Sequence, residues 1–324
     1  MTKSAIHTEH LTLHFGSIQA LDDISINVPA GIVYGFLGPN GAGKTTMIRL
    51  LLGLLTPTAG SATVLGLDAR TQGEEIRKLA GVLLEEDALH HNLTAWENLD
   101  QCGRAWGMSV EDRTARSREL LMQLDLWERR DDVVAHWSRG MKRRLAIARA
   151  LIHRPRLLFM DEPTAGLDPI ARTAVHDNLL TLATNEGLTV FLTTHKLSEA
   201  ERLCAQVAVV RDGRLLAAGP TAELRTLGCV PTLEITGSGF TSDVISLLKR
   251  RREIADIHAL PNRLVVELRD PNAHSSPLVS LLVESGADVE EVRRATASLE
   301  RVFVSMMREE QNGLEPAAVV HASS

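Results

Sequence analysis

The run Gly38-Pro39-Asn40-Gly41-Ala42-Gly43-Lys44-Thr45 matches the pattern G-x-x-x-x-G-K-[ST] at every defining position. Such a loop does one kind of chemistry. Its glycines, Gly38, Gly41 and Gly43, let backbone N–H groups turn inward around phosphate oxygens, and a following helix adds the partial positive charge of its N-terminus. Lys44 is expected to reach the terminal phosphates and the Thr45 hydroxyl to coordinate magnesium. Asn40 and Thr46 flank these groups in the same loop. The alternative, a plain glycine turn before a helix, leaves the lysine and threonine unexplained.

A second group lies downstream. Leu157-Leu158-Phe159-Met160 is an apolar run that ends in Asp161 and Glu162. Unpaired charge at the end of a buried strand is costly, and a magnesium ion held by Asp161 would compensate it. Glu162, one residue further, is placed to act as general base on a water molecule. Alone, Asp-Glu-Pro reads more readily as a strand exit with a helix cap. Beside a phosphate loop it reads as the metal and water half of a nucleoside-triphosphate site.

These residues need elements to hold them. Alternation over Ile6–Phe15 predicts a strand, as do Ile24–Val28 and Ile32–Leu37, with the turn residues Pro29 and Gly31 between them. The glycine loop opens a helix over Thr45–Leu55, and residues 80–84 form a short strand. Leu, Trp and Met at three-to-four spacing predict a helical insertion from Leu93 to about Leu126. Ser138 opens a helix over Arg139–Ile152, broken by Pro155. Strands at Leu157–Met160, Leu188–Thr193, Val207–Val210 and Leu215–Ala218 alternate with helices, the pattern of a largely parallel sheet. After a short helix near 221–227 and a linker at 228–231, the order is strand 232–236, helix 240–251, strands 255–259 and 263–268, helix 276–285, strand 288–292 and helix 297–307. Its β-α-β-β-α-β core is the split pattern of ferredoxin-like domains. The expected domains are a nucleotide-binding one over 1–227 (helical part about 93–152), a small α+β one over 228–310, and a disordered tail over 311–324.

Composition narrows the class. The chain has 324 residues, 44% hydrophobic and 23% charged, with a formal net charge of -6, which disfavours a nucleic-acid surface. Cys102, Cys204 and Cys229 lack metal or disulfide spacing and fit a reducing cytosol. No apolar run approaches the roughly 18–20 residues that cross a bilayer. The first residues lack the apolar core of a signal peptide. Any membrane work therefore requires another chain.

Three further motifs give the family. Trp137-Ser138-Arg139-Gly140-Met141 precedes the helix leading to Asp161; Ala165-Gly166-Leu167-Asp168 follows Glu162; Thr193-Thr194-His195 ends the next strand. In order and spacing the set resembles the ATP-binding subunits of ABC transporters over residues 1 to about 227. The resemblance implies a P-loop α/β core with a mostly parallel sheet, an antiparallel β subdomain and a helical insertion. It also implies two chains, expected to be identical, packed head to tail around two ATP molecules with magnesium. Ser138 and Gly140 would then approach the γ-phosphate held by the partner's loop, Asp168 would lie across the seam, and His195 would contact the γ-phosphate and position water. Within one chain Ser138 is a helix cap. Phe15 matches the aromatic that stacks on adenine, or it is a core residue.

Three departures stand out. Arg139 and Met141 replace a glycine and a glutamine of the usual signature. Glu85 stands where a glutamine usually serves magnesium and water; its carboxylate would bind the metal more strongly but repel the γ-phosphate. Trp137 replaces a leucine. With the long C-terminal extension and Ser298–Phe303, these features resemble a subgroup of drug and antimicrobial-peptide exporters of the daunorubicin-resistance type. The resemblance implies a cytoplasmic subunit, peripheral on the membrane through a separate permease, and no nucleic-acid partner. A rival reading, an ATPase of this type acting on ribosomes or nucleic acid, has against it the single cassette, the absence of heptads and zinc cysteines, and the acidic balance.

Overall fold

Strands that are apolar on both faces can only sit inside a covered parallel sheet, and three such strands organise this chain. The computed structural model describes residues 4–84, 86–225, 232–260, 262–270, 275–294, 298–300 and 302–303. They fall into two compact units, the first ending at Leu224 and the second beginning at Arg225.

In chain order the first unit runs β1 (Ser4–Phe15), β2 (Ile18–Ile24), β3 (Asn27–Pro29), β4 (Val33–Leu37), α1 (Lys44–Leu51), β5 (Ala59–Val64), β6 (Leu67–Asp68), α2 (Gly73–Leu79), β7 (Ala80–Leu83), α3 (Ala95–Ala105), α4 (Val110–Gln123), α5 (Arg139–Leu151), β8 (Leu157–Asp161), α6 (Pro169–Glu186), β9 (Thr189–Thr194), α7 (Leu197–Leu203), β10 (Gln206–Arg211), β11 (Arg214–Pro220) and α8 (Thr221–Leu224). The central sheet has the order β11-β10-β4-β9-β8-β7, parallel from β10 to β7 with β11 antiparallel at one edge. Every residue of β4, β8 and β9 is buried. Phe191 on β9 lies at the aromatic centre: ring centroids are 5.8 Å from Tyr34, 5.8 Å from Phe36 and 5.7 Å from Phe159. With six Phe and one Tyr in the chain, a majority of them is spent tying these three strands together.

A second, antiparallel sheet, β2-β1-β5-β6 with β3 also on β1, flanks the core. Here the expected strand Ile24–Val28 is two pieces. The Thr8 hydroxyl donates to Ile24 O (2.9 Å) and accepts from Ile26 N (3.0 Å), so β1 hands its pairing from β2 to β3 at that point. α1 stops at Leu51 rather than Leu55, because Gly53 turns left-handed (φ 64°). The helical insertion is α3 and α4, each capped as its sequence allows: Thr94 and Glu97 form a reciprocal capping box, and Ser109 caps α4.

The second unit runs β12 (Thr232–Ser238), α9 (Ser242–Lys249), β13 (Ile254–Leu260), β14 (Arg263–Leu268), α10 (Ser276–Glu284) and β15 (Asp288–Arg294). Its antiparallel order β13-β14-β12-β15 is the ferredoxin-like arrangement. Leu233, Ile235, Leu264 and Val266 form its core with Leu248, Leu278 and Leu282 of the helices. The expected linker at 228–231, most of the helix at 297–307 and the tail from 311 lie outside the described residues.

Candidate functional site

The carboxyl ends of β4, β8 and β9 meet at one edge of the sheet, where open α/β folds place their ligands. β4 delivers the glycine loop. Gly38 has no room for a side chain, since a Cβ there would lie 2.4 Å from Val210 O. Gly41 and Gly43 sit at φ 85° and 93°, which a side chain would strain. Pro39, Asn40 and Gly41 form the exposed rim, and Thr45 and Thr46 are half-buried in the first turn of α1. Lys44 is buried; its Nζ donates to Gly38 O (2.8 Å) and Pro39 O (3.0 Å).

β8 delivers the acids. Asp161 is buried, and the register that pairs it with Thr193 of β9 lets the Thr193 hydroxyl donate to Oδ1 (2.5 Å). The Thr45 hydroxyl donates to Oδ2 (2.6 Å). Glu162 follows with φ 47°, an uncommon conformation for a residue with a side chain. Its N–H donates to Thr193 O (3.1 Å) and Oγ1 (3.2 Å). Its carboxylate lies between two cationic or protonatable groups: Lys44 Nζ is 3.2 Å from Oε1, an ion pair without hydrogen-bond alignment, and His195 Nδ1 is 3.0 Å from Oε2. A carboxylate only accepts, so the proton of that last bond sits on Nδ1.

Lys44, Thr45, Asp161, Glu162 and His195 are thus brought into one group. Among the described residues no hydrogen bond or ion pair joins Ser138 or Asp168 to it. Ser138 caps α5, accepting from Met141 N (3.3 Å), and Asp168 caps α6, accepting from Ile170 N and Ala171 N (3.0 and 2.9 Å). Gly140 is where α5 and α6 touch: a Cβ there would lie 2.6 Å from that of Ala171. Phe15 is 49% exposed at the end of β1 and is no core residue. Glu85 lies outside the described residues.

The sequence reading missed three contributors. Thr193 bonds both acids' neighbourhood as described. Glu199, buried on α7, accepts from the Thr164 hydroxyl (2.6 Å) and pairs with Arg172 and Lys196 (3.3 Å each), tying the segment after Glu162 to the residue after His195. Arg143 on α5 is buried against the strand ends. The sequence showed Thr193 only as a polar residue at the end of a strand; its register with Asp161 comes from the pairing of β8 with β9. For Arg143 the sequence carried no signal, since it stands between two other cations, Lys142 and Arg144.

The sequence pattern of the ABC transporter family matches residues 21–165. The daunorubicin/doxorubicin resistance ATP-binding protein of Streptomyces peucetius is 37% identical over 93% of this chain and 92% of its own length. This chain belongs to the ABC transporter family, as one of its ATP-binding subunits. The bacitracin transport ATP-binding protein of Bacillus licheniformis is 36% identical over 93% of this chain and 97% of its own. The Nod factor export ATP-binding protein of Neorhizobium galegae is 41% identical over 76% and 70%. Among solved structures, a Clostridium perfringens protein that is part of an ABC transporter complex superposes with a TM-score of 0.65 at 25% identity, covering 68% of this chain and 90% of that one. An ATP-binding cassette in a dimeric post-hydrolysis state with ADP and phosphate superposes with a TM-score of 0.59 at 26% identity, over 66% and 98%. As an ABC subunit the chain binds and hydrolyses ATP. No described helix is long and apolar enough to cross a membrane.

Proposed function

We propose that the chain is the motor of an exporter for drug-like or antimicrobial molecules, working as a homodimer on the cytoplasmic side of a separate membrane-spanning permease. The observation that carries the catalytic part is the Glu162 carboxylate, held between Lys44 and His195 beside the Asp161–Thr45 pair. Lys44 exchanges its loop carbonyls for the phosphates of ATP. Glu162 accepts the proton of the attacking water, and His195, half-exposed and bonded through Nδ1, orients water and γ-phosphate. A hydroxyl next to a carboxylate is a hard-oxygen donor set that fits magnesium, so Thr45 and Asp161 would hold it, with Glu85 as a candidate third ligand. When bound, the metal offsets charge on the phosphates.

Among the described residues Ser138 and Asp168 make only cap bonds, which suits a role toward a second copy: Ser138 and Gly140 against the partner's γ-phosphate, Asp168 along the seam. Phe15, exposed at the end of β1, is assigned to stack on adenine. Export, the permease and the cargo class rest on similarity to the daunorubicin and bacitracin proteins. The second unit is assigned a regulatory or dimer-stabilising role. ATP-dependent dimerisation of purified Glu162→Gln protein, read by size-exclusion light scattering, tests the composite site; a strictly monomeric variant at saturating Mg-ATP overturns it.

A further inference from the structure

Lys142, Arg143 and Arg144 are three consecutive cations on α5, and the fold sends them to three places. Lys142 Nζ donates to Ala135 O (3.2 Å) at the surface, and Arg144 to Leu124 O (2.9 Å) within the helical insertion. Arg143 alone is buried, 7% exposed. Its guanidinium fork spans two strand exits. Nη1 donates to Leu84 O (2.9 Å) beyond β7; Nε donates to Pro163 O (2.6 Å); Nη2 donates to Asp161 O (3.3 Å) and Glu162 O (2.7 Å) beyond β8.

The last two carbonyls belong to the peptide planes on either side of Glu162. Holding both planes fixes the φ and ψ of Glu162, hence the direction of its side chain. That residue needs holding: φ 47° is unfavourable for glutamate, and the following Pro163 restricts it further. Backbone in a sparsely populated region persists only where its surroundings over-determine it. The five-donor planar fork suits this task, whereas a lysine ammonium concentrates its donors at one point.

We propose that Arg143 is a positioning residue for hydrolysis: it aims the Glu162 carboxylate and makes that aim depend on α5, the helix whose N-terminus carries Ser138. The proposal rests on Glu162 being the general base. Engagement of Ser138 with a partner's nucleotide would then reach the acid through five residues of rigid helix and one guanidinium. The same fork, through Leu84 O, also ties α5 to the exit of β7.

The test uses the full chain and four variants: Arg143→Gln, Arg143→Lys, Glu162→Gln and the double Arg143→Gln/Glu162→Gln. Steady-state ATPase gives kcat and KM, fluorescent-nucleotide titration gives affinity, and a thermal melt checks folding. Misaiming a catalytic group by a fraction of an ångström to 1 Å costs on the order of 10- to 100-fold in rate. Arg143→Gln is therefore expected to lower kcat by at least about 10-fold, with affinity and KM within about 2-fold of wild type. Arg143→Lys, which keeps charge and volume, is expected to recover only part of kcat. The double variant is expected to be no slower than Glu162→Gln alone, because the two act through one group. Wild-type kcat in Arg143→Gln, full rescue by lysine, or a further rate loss in the double variant overturns the proposal. If Arg143→Gln does not fold, a wild-type kcat in Arg143→Lys overturns it alone. Should Glu162→Gln itself turn over normally, the general-base reading fails, a result distinguishable from failure of the Arg143 link.

Discussion

Lys44 Nζ stands 3.2 Å from Glu162 Oε1, so the cation that serves the phosphates and the acid that serves the water hold each other. Replacing Glu162 by Gln removes both the proton acceptor and this ion pair. Turnover is expected to fall by at least about 10²-fold, the scale of general-base catalysis. ATP binding is expected to stay or tighten, since Lys44 no longer leaves a carboxylate to reach phosphate. Lys44→Ala is expected to do the opposite and weaken binding. Equilibrium nucleotide titration beside steady-state ATPase separates the two; tight binding by Lys44→Ala contradicts the assignment of the loop.

The oxygens of Asp161 accept from Thr45 and Thr193, at 2.6 and 2.5 Å. Thr45→Val keeps the shape of the first turn of α1 and removes one oxygen of the proposed magnesium pair. The variant is expected to lose about 10-fold or more in affinity for ATP with magnesium present, the scale of disturbing a metal site's ligand set. With the metal chelated it should match wild type. Calorimetric titration in both buffers checks this, and an equal loss in both would place the hydroxyl in folding rather than in metal binding.

The phosphate loop and the acids were legible because their chemistry is local. A glycine run ending in Lys44-Thr45, and an apolar strand ending in Asp161-Glu162, each state their purpose within eight residues. The central strands were legible for a related reason: β4 and β8 are apolar at nearly every position, and β9 carries Val190-Phe191-Leu192 between threonines. What stayed hidden is what long-range pairing decides. Thr193 matters because β8 and β9 pair in the register that sets it opposite Asp161. Arg143 cannot be told from Lys142 and Arg144 until packing buries one of the three. β2 was missed because Asp22-Asp23 is poor strand sequence and Asp23 takes φ 55°. β5, Ala-Gly-Ser-Ala-Thr-Val, carries few strand formers and is held by its ladder to β1.

Gly140 offers a contest between two magnitudes. It is the second residue of α5, where alanine would gain at most about 1 kcal/mol over glycine in helix propensity. A Cβ there would lie 2.6 Å from that of Ala171, however, and overpacking a rigid contact costs about 1–3 kcal/mol. The clash is expected to win: Gly140→Ala should lower the denaturation midpoint, and Gly140→Ala with Ala171→Gly should recover part of the loss. A more stable single variant would show that α5 and α6 can separate at no cost.

His153 gives the fold a pH dependence of predictable sign. Its ring stacks on Trp106 with centroids 3.9 Å apart, and Nε2 meets Ala80 O at 3.2 Å. Burial pushes its pKa below the ordinary 6.5, the hydrogen bond to Ala80 opposes that, and the charge of Arg116 adds to the lowering. The unfolded chain therefore binds a proton at a higher pH than the folded one. Its contribution to stability is complete above about pH 6.5 and is lost as pH falls from there through the folded-state value. His176, buried on α6 with neither ring nitrogen hydrogen-bonded among the described residues, is shifted the same way by burial. Wild type should thus lose melting temperature on acidification below about pH 6.5. His153→Phe, which keeps a ring against Trp106 but cannot titrate, should show a shallower slope, with the remainder carried in part by His176. Melting curves from pH 7.5 to 5 measure both slopes; identical slopes would mean that His153 takes up its proton equally well in the folded and unfolded chain.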